Sequence, residues 1–155
     1  MSREWLFDTN VFSRYEQQFQ HLRRGKLVLS SVVAQELLVG MDEKHRRKLR
    51  TLVSILKESG LVLTPSHDDW VEVGERLHRW FTGGFSANQK LSKEEVNLLV
   101  RDSLIAQCAI TRNRLHRQNG THFECVIVTD NISDFHKVTK GTHQKVIPGR
   151  DFFGE

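Results

Sequence analysis

The chain has 155 residues, of which 27% are charged and 38% hydrophobic, and its formal net charge is +4. This balance is that of a globular protein and excludes a disordered tail, and no apolar run approaches the roughly 20 residues of a membrane helix. The length predicts a single domain over residues 1–155. The N-terminal segment carries an acid and enters a predicted strand at once, so we expect no signal peptide and a cytoplasmic location.

Short apolar runs alternate with helical stretches in the first part of the chain. The runs are continuous rather than alternating, which is typical of buried strands. The stretches between them carry apolar residues at three- and four-residue spacing and are broken by glycines. The predicted elements are a strand over residues 4–7, a helix from Thr9 or Asn10 to Gly25, a strand over 26–31, a helix over 32–39 and a basic amphipathic helix over 42–59.

Two capping signals organise the second part of the chain. Ser66 with Asp69, and Ser92 with Glu95, place an acid three residues after a serine, which marks a helix start. The second signal opens the longest predicted helix, whose small residues allow its backbone to lie close to a sheet. The predicted elements are a strand over residues 61–65, a helix from 66 to about 81, an exposed loop over 82–90, a helix from 92 to about 116, a strand over 124–129, a short helix over 131–138 and a strand over 145–149.

Alternating strands and helices predict the fold class. Continuous apolar strands indicate a sheet that is covered on both faces. We therefore expect a three-layer α/β/α fold around a central, mostly parallel sheet of four to five short strands. In such folds, ligands bind beyond the carboxyl ends of the strands. Asp8 and Asp130 both directly follow a predicted strand, so we expect them at the same edge of the sheet.

Carboxylates recur at the edges of apolar segments. Ionised carboxylates are costly to desolvate unless they are paired or bound to a metal. Several of them converging would form an oxygen-rich site for Mg²⁺ or Mn²⁺, which points to metal-dependent phosphate chemistry. The residues in question are Asp8, Glu36, Asp102, Asp130 and Asp134. Alternatively, Asp8 is a helix N-cap and Glu36 an exposed helix residue, whereas Asp102 lies within a helix, where aspartate has poor propensity.

The excess positive charge lies away from these acids. Basic clusters around an acidic centre suit a polyanion that is held by its phosphates, although each cluster could also be a solvated helix face. The clusters are Arg23, Arg24 and Lys26, then residues 44–50, then Arg112, Arg114 and Arg117. Cys108 and Cys125 match no metal-binding spacing and are expected to be buried. The histidines also lack zinc-site spacing, so we expect no zinc site.

Four segments, in order along nearly the whole chain, resemble the PIN-domain nucleases, and most closely the VapC-like toxins of type II toxin–antitoxin pairs. They are DTNV from Asp8, QELLVG around Glu36, DSLIAQCA from Asp102 and TDNISDF from Thr129. The resemblance implies a PIN-like fold and an Mg²⁺- or Mn²⁺-dependent endoribonuclease. Hydrolysis by metal-activated water would leave 5′-phosphate and 3′-hydroxyl ends. It also implies a small cognate antitoxin and a homodimer, with no membrane partner.

The resemblance assigns roles to individual residues. Asp8, Glu36, Asp102 and Asp130 are expected to bind the metal, and Asp134 is a further catalytic candidate. The last acid stays open, because Asn131 occupies the usual family position, Asp130 a variable one, and Asp134 the position before a phenylalanine. The residues expected to orient carboxylates are Thr9, Asn10, Thr129 and Asn131. The residues expected to contact RNA are Arg46, Arg47, Arg112 and Arg114.

Two other functions stay open: a non-toxin PIN nuclease in RNA processing, and a catalytically silent RNA-binding PIN module. The intact set of Asp8, Glu36 and Asp102 argues against the silent module. If the chain is a toxin, we expect an arginine or lysine of the antitoxin to pair with the acids. The groove for the rest of the antitoxin tail is expected to be lined by Val11, Phe12, Leu37 and Leu38, unless these residues are core.

Overall fold

The structure, a computed structural model, describes residues 1–15, 26–82 and 91–154. It contains a five-stranded parallel sheet flanked by helices, which confirms the expected fold class. The strands are β1 (Ser2–Phe7), β2 (Lys26–Ser30), β3 (Val62–Leu63), β4 (Phe123–Thr129) and β5 (Val146–Pro148). The helices in the described ranges are α1 (Thr9–Tyr15), α2 (Ser31–Gly40), α3 (Glu43–Glu58), α4 (His67–Thr82), α5 (Lys93–Gln118), α6 (Ile132–Thr139) and α7 (Gly149–Phe153). The expected helix end at Gly25, the basic residues Arg23 and Arg24, and residues 83–90 of the expected loop lie outside the described residues, whereas Thr82 is the last residue of α4.

The order of the strands fixes where a ligand can bind. The sheet runs β3-β2-β1-β4-β5, so the chain moves outward from β1 to β3 and then crosses back to β4. Right-handed connections place the helices before and after this reversal on opposite faces of the sheet. Ligands of such sheets bind at the carboxyl edge where the direction changes. This point lies between β1, which Asp8 follows, and β4, which ends at Thr129.

The core forms where the central strands meet the long helix α5. Leu6 on β1 is opposite Ile127 on β4, and both side chains are fully buried. Ala106 and Ala109 of α5 are also fully buried, as expected for small residues that bring a helix close to a sheet. The resulting apolar layer connects the start of α1 to the middle of α5.

Both predicted capping signals begin helices in the structure. The Ser66 hydroxyl accepts a hydrogen bond from the Asp69 amide at 3.2 Å, and the Asp69 carboxylate accepts one from the Ser66 amide at 2.8 Å. This is a reciprocal capping box in which aspartate replaces glutamate. The Ser92 hydroxyl accepts a hydrogen bond from the Glu95 amide at 3.1 Å. These contacts define the starts of α4 and α5.

The C-terminal helix α7 was not predicted. It follows Pro148 and ends at Gly154, whose φ of 75° is left-handed and therefore suits glycine. The side chain of Phe152 is 5% exposed. Its ring centroid lies 4.7 Å from that of Trp5 and 5.1 Å from that of Phe7. A helix of five residues is too short to show a periodic pattern, so only the proline and glycine at its ends could have indicated it.

Replacing Phe152 tests whether α7 belongs to the core. We expect Phe152→Ala to lower the free energy of unfolding by about 3 kcal/mol, because the ring leaves a cavity beside Trp5 and Phe7. Urea denaturation measures the change. The control is Arg150→Ala on the same helix, whose side chain is 76% exposed and which should change stability by less than about 0.5 kcal/mol. Equal stability of the two variants would show that α7 does not pack on the core.

The cysteines are buried and free, as expected. Burial raises the pKa of the Cys108 thiol to about 11, so this thiol is unreactive near neutral pH. No helix within the described ranges combines the length and the apolar character needed to cross a bilayer.

Candidate functional site

Asp8 is held at the reversal point of the sheet. Its amide donates to the carbonyl of Val128 at 2.9 Å, and its carbonyl accepts from the amide of Phe12 at 3.0 Å, which starts α1. The side chain is fully buried. One carboxylate oxygen accepts a hydrogen bond from the Thr9 amide at 2.7 Å, and the other accepts from the Thr129 hydroxyl at 2.9 Å. Asp8 therefore occupies the N-cap position, but its carboxylate also joins β1 to the end of β4.

Three carboxylates meet at one guanidinium group, that of Arg101. Its Nη2 lies 2.8 Å from Asp102 Oδ1 and 3.4 Å from Asp8 Oδ1. Its Nε lies 3.1 Å from Glu36 Oε1. These acids come from α5, the end of β1 and α2, so elements far apart in sequence converge on a single cationic group. We call Asp8, Glu36, Asp102 and Arg101 the carboxylate site.

The sequence analysis assigned no role to Arg101. Adjacent residues of a helix point about 100° apart, so Arg101 is expected to face away from Asp102. Its long side chain nevertheless reaches back over Asp102 to the acids of the other elements. The only sequence signal was a cationic residue directly before the aspartate, and such pairs are common on solvated helices.

Glu36 faces the carboxylate site and is not an exposed helix residue. Its side chain is 21% exposed and pairs with Arg101 through one oxygen. The other oxygen accepts a short hydrogen bond from the Thr9 hydroxyl. Thr9 thus contacts two of the acids, Asp8 through its amide and Glu36 through its side chain.

Asp102 carries the clearest electrostatic perturbation of the site. Burial raises its pKa, Arg101 opposes the rise, and the charges of Asp8 and Asp134 add to it, so the pKa lies at about 6. The residue is 2% exposed. A cation bound among these acids would stabilise the ionised form of Asp102, because it would offset the negative charge of its neighbours as well.

The last acidic segment places Asp134, rather than Asp130, next to Asp102. Asp134 and Asp102 line the same small cavity of about 140 Å³. The Asn131 side-chain amide donates to Asp134 at 2.9 Å, and the Asn131 backbone amide donates to the Thr129 hydroxyl at 3.0 Å. The side chain of Asp130 is exposed. The Asp130 amide lies 3.4 Å from the Asn10 side-chain oxygen that accepts its hydrogen bond.

The donor chemistry of the carboxylate site suits a hard divalent cation. Within residues 1–15, 26–82 and 91–154, no three Asp, Glu, His or Cys side chains are grouped closely enough to hold a metal ion as they stand. The guanidinium of Arg101 instead lies among the carboxylates of Asp8, Glu36 and Asp102. Carboxylate oxygens are ligands that Mg²⁺ and Mn²⁺ accept. A metal at this site therefore requires Arg101 to withdraw.

The arginines expected to contact RNA each pair with an acid outside the carboxylate site. On α3, Arg46 and Arg47 pair with Glu43 at 2.7 and 3.2 Å. Arg114 pairs closely with Glu72 of α4. Arg112 pairs with Glu4 of β1 at 2.8 Å. Their role in RNA binding stays a prediction, and Arg112 in particular has a structural task.

Arg112 compensates a buried charge in the sheet. Glu4 is 2% exposed and is held by Arg112 and by His116, whose Nε2 lies 2.9 Å away. Burial alone would raise the pKa of Glu4, but the hydrogen bonds from these two residues hold that pKa below its usual value. The network keeps Glu4 ionised inside the fold.

Removing Arg112 should therefore destabilise the chain. We expect Arg112→Ala to lower the free energy of unfolding by about 3 kcal/mol, because Glu4 loses its main partner while still buried. Urea denaturation measures this, with Arg47→Ala as the control, since the Arg47 side chain is 77% exposed. A loss of RNA affinity in folded Arg112→Ala without any loss of stability would favour the RNA-contact role instead.

Most of the expected antitoxin-groove residues are core. Val11, Phe12 and Leu37 are at most 4% exposed, so the expectation that they line a groove is wrong for these three. An apolar residue on a helix fits both roles, and the sequence alone cannot separate them. Leu38 does line an open groove of about 530 Å³ between α2 and α3. Other residues of this α2–α3 groove are Val39, Arg46, Arg50 and Val53.

Comparison with known proteins identifies relatives by fold. No protein-family model and no curated protein matches the chain. Among solved structures, a chain of VapBC2 from Rickettsia felis, bound to a DNA fragment from its promoter, matches at 18% identity with a TM-score of 0.54; the match covers 94% of this chain and 98% of that one. A chain of VapBC-1 from nontypeable Haemophilus influenzae matches at 18% identity with a TM-score of 0.53, with the same coverage of 94% and 98%. The fold is therefore PIN-like, as the sequence predicts.

Proposed function

We propose that this chain, on its PIN-like fold, is a divalent-metal-dependent endoribonuclease and the toxin of a toxin–antitoxin pair. The observation that carries the proposal is the convergence of Asp8, Glu36 and Asp102 on one shared cation at the carboxyl edge of the sheet. That edge is where α/β folds of this topology bind ligands. Charge repulsion between these acids favours a bound cation of higher charge than the guanidinium of Arg101.

A bound Mg²⁺ or Mn²⁺ supplies positive charge that polarises the phosphate and lowers the pKa of water. Asp8 and Asp102 would hold this cation, with Glu36 beside them. The Thr129 hydroxyl and the Thr9 amide fix the orientation of the Asp8 carboxylate. Asp134, oriented by Asn131, completes the acidic wall next to Asp102. In the reaction, the oxygen of water would bond to phosphorus and the water would release one proton, while the bond to the 3′ oxygen breaks and that oxygen takes up one proton.

A cleavage assay tests the proposal. Labelled single-stranded and structured RNAs are incubated with the wild type and with Asp8→Asn, in Mn²⁺ and in EDTA. We expect cleavage to products with 5′-phosphate ends only for the wild type in Mn²⁺. The matched control is Asp151→Asn, whose side chain is 62% exposed on α7 and which should retain full activity. Equal cleavage in EDTA, or by Asp8→Asn, would contradict the proposal.

The same assay decides which residue supplies the fourth acid of the site. We infer that Asp134 completes the site, because it lines the small cavity with Asp102 while the Asp130 side chain is exposed. Asp134→Asn should therefore lose much more activity than Asp130→Asn. The reverse order would assign the position to Asp130.

A catalytically silent RNA-binding module is the second candidate. The observation that favours it is Arg101, which pairs with all three acids of the carboxylate site and could neutralise them permanently. A silent module binds RNA but does not cleave it at any Mn²⁺ concentration. The two functions are therefore separated by measuring RNA binding and cleavage on the same sample.

The toxin role rests on the resemblance and on a surface suited to a partner. The α2–α3 groove combines the exposed Val39, which is 77% accessible, with Arg46 and Arg50. An amphipathic segment with acidic residues fits such a groove. Co-expression with an adjacent small gene should yield a stable complex with suppressed cleavage. A product that neither binds nor suppresses activity would remove the toxin role and leave the nuclease intact. The homodimer stays a prediction.

A further inference from the structure

A basic cavity of about 700 Å³ lies between α4, α5 and the end of α6, apart from the acids of the carboxylate site. Acidic residues of its wall are Glu72 and Glu75, and Glu72 already pairs with Arg114 and accepts a hydrogen bond from Gln107. The cavity therefore has a strong excess of positive charge. Its basic residues are Arg76, Arg79, Arg114, Arg117, Lys137 and Lys140.

Two buried polar groups of this wall make no hydrogen bond within the part of the chain that the structure describes. Ser103 is fully buried, and its hydroxyl makes no hydrogen bond with any described residue. The Nε of Arg76 is also buried and unpaired within the described ranges, although its Nη2 donates to Gln107 at 2.6 Å. Burial lowers the pKa of Arg76, Glu72 opposes this, and the charges of Arg114 and Arg79 lower it further. Unsatisfied buried donors are costly, so an acceptor oxygen in the cavity would stabilise this wall.

The basic cavity adjoins the acidic site through Lys137. This residue lines both the basic cavity and the small cavity that contains Asp102 and Asp134. Its Nζ lies 3.5 Å from Asp134. Trp80 also lines both cavities. A nucleic-acid strand with one phosphate at the carboxylate site can therefore place a neighbouring phosphate among the arginines of the basic cavity.

We propose that the basic cavity binds a backbone phosphate of the RNA strand whose scissile phosphodiester lies at the carboxylate site. This rests on the proposed function. A phosphate offers several acceptor oxygens with a full charge, which suits a wall of arginines and a buried hydroxyl. The cavity then holds the strand in register, while the acids of the site select the bond that is cut. Arg114 is common to this cavity and to the RNA contacts expected from the sequence.

Binding in the absence of cleavage tests the cavity. The probe is a fluorescent single-stranded RNA of about 12 nucleotides, measured by anisotropy in EDTA at several salt concentrations. The test variant is Arg79→Gln with Arg117→Gln, because neither arginine forms an ion pair with a described residue. The matched control is Lys57→Gln with Lys145→Gln, which removes the same charge from two exposed side chains outside the basic clusters of the sequence and outside the basic cavity. Thermal melts confirm that both variants are folded.

We expect the cavity variant to lose at least about tenfold in RNA affinity at low salt, and its plot of log affinity against log salt to be shallower by about 0.7, the value for one phosphate of a single strand. The control pair should stay within about twofold of the wild type. Equal losses in both pairs, or no RNA binding by the wild type, would overturn the proposal. Ser103→Ala should also weaken binding, since its hydroxyl is assigned to the phosphate.

A neutral linkage locates the bound phosphate. In a series of RNAs, each linkage in turn is replaced by an uncharged methylphosphonate. We expect the wild type to bind more weakly when one particular linkage is replaced. Replacing that same linkage should not weaken binding to the Arg79→Gln, Arg117→Gln variant any further. A poly-glutamate peptide that displaces RNA from the wild type as well as unlabelled RNA does would assign the cavity to an acidic protein segment and overturn the proposal. If only the proposed nuclease function is wrong, the result is different: RNA binding still depends on the arginines of the cavity, but the RNA is not cleaved in Mn²⁺.

Discussion

Asp102→Asn is expected to abolish RNA cleavage and to leave the chain at least as stable as the wild type at pH 7. The variant removes a negative charge that the proposed divalent cation would need, and it also removes the cost of a buried carboxylate beside Asp8 and Asp134. Cleavage in Mn²⁺ and urea unfolding in EDTA measure the two effects. Asp151→Asn is the control for both. Full activity of Asp102→Asn at millimolar Mg²⁺ would remove Asp102 from the site.

The stability gain of this variant should depend on pH. The pKa of Asp102 is raised from 3.8 to about 6 in the folded chain. Between these values the folded chain keeps a proton that the unfolded chain has released, so the contribution of Asp102 to stability falls as pH rises from 4 to 6. The advantage of Asp102→Asn over the wild type should therefore be absent below pH 4, grow through this window and reach up to about 3 kcal/mol at pH 7. A constant difference across the window would contradict the raised pKa.

Arg101→Gln is expected to make the chain less stable in EDTA and more responsive to metal. Without the guanidinium, Asp8, Glu36 and Asp102 repel one another with no internal cation between them. A divalent ion that binds only the folded state then relieves a larger repulsion and no longer competes with Arg101. A tenfold gain in Mn²⁺ affinity would add about 1.4 kcal/mol of stabilisation at saturating metal. Thermal melts in EDTA and across a Mn²⁺ series measure the effect.

The control for this variant is Arg47→Gln. Arg47 also pairs with an acid, but on the exposed face of α3. It should respond to Mn²⁺ as the wild type does. If Arg101→Gln and the wild type show superimposable melts at every Mn²⁺ concentration, Arg101 does not compete with a metal at the carboxylate site.

The sequence predicted the sheet well because each strand is a short continuous apolar run bounded by polar residues. It predicted β3 over residues 61–65, whereas the structure has only Val62–Leu63, because pairing with the end of β2 limits this edge strand to two residues. The helix α7 was missed because its burial depends on Phe152 meeting Trp5 and Phe7, which are distant in sequence.

The sequence identified the acids of the carboxylate site but not Arg101, the cationic residue that they contact. Asp8, Glu36 and Asp102 stand out as carboxylates beside apolar runs, and the structure brings them together. The sequence gives no signal that singles out Arg101, and only the folded arrangement shows that its side chain contacts acids of three elements. Whether Asp130 or Asp134 lies beside Asp102 depends on where α6 starts. It begins at Ile132, so Asp134 lies in its first turn and lines a cavity with Asp102 on α5.

The most direct test of the carboxylate site is a crystal structure of the chain soaked in Mn²⁺, with anomalous scattering measured at the manganese edge. We predict an anomalous peak within coordination distance of carboxylate oxygens of Asp8 and Asp102, with the guanidinium of Arg101 moved away from both acids. A map without a peak at these residues, in which Arg101 keeps its contacts of 2.8 Å to Asp102 and 3.1 Å to Glu36, would contradict the metal-dependent mechanism.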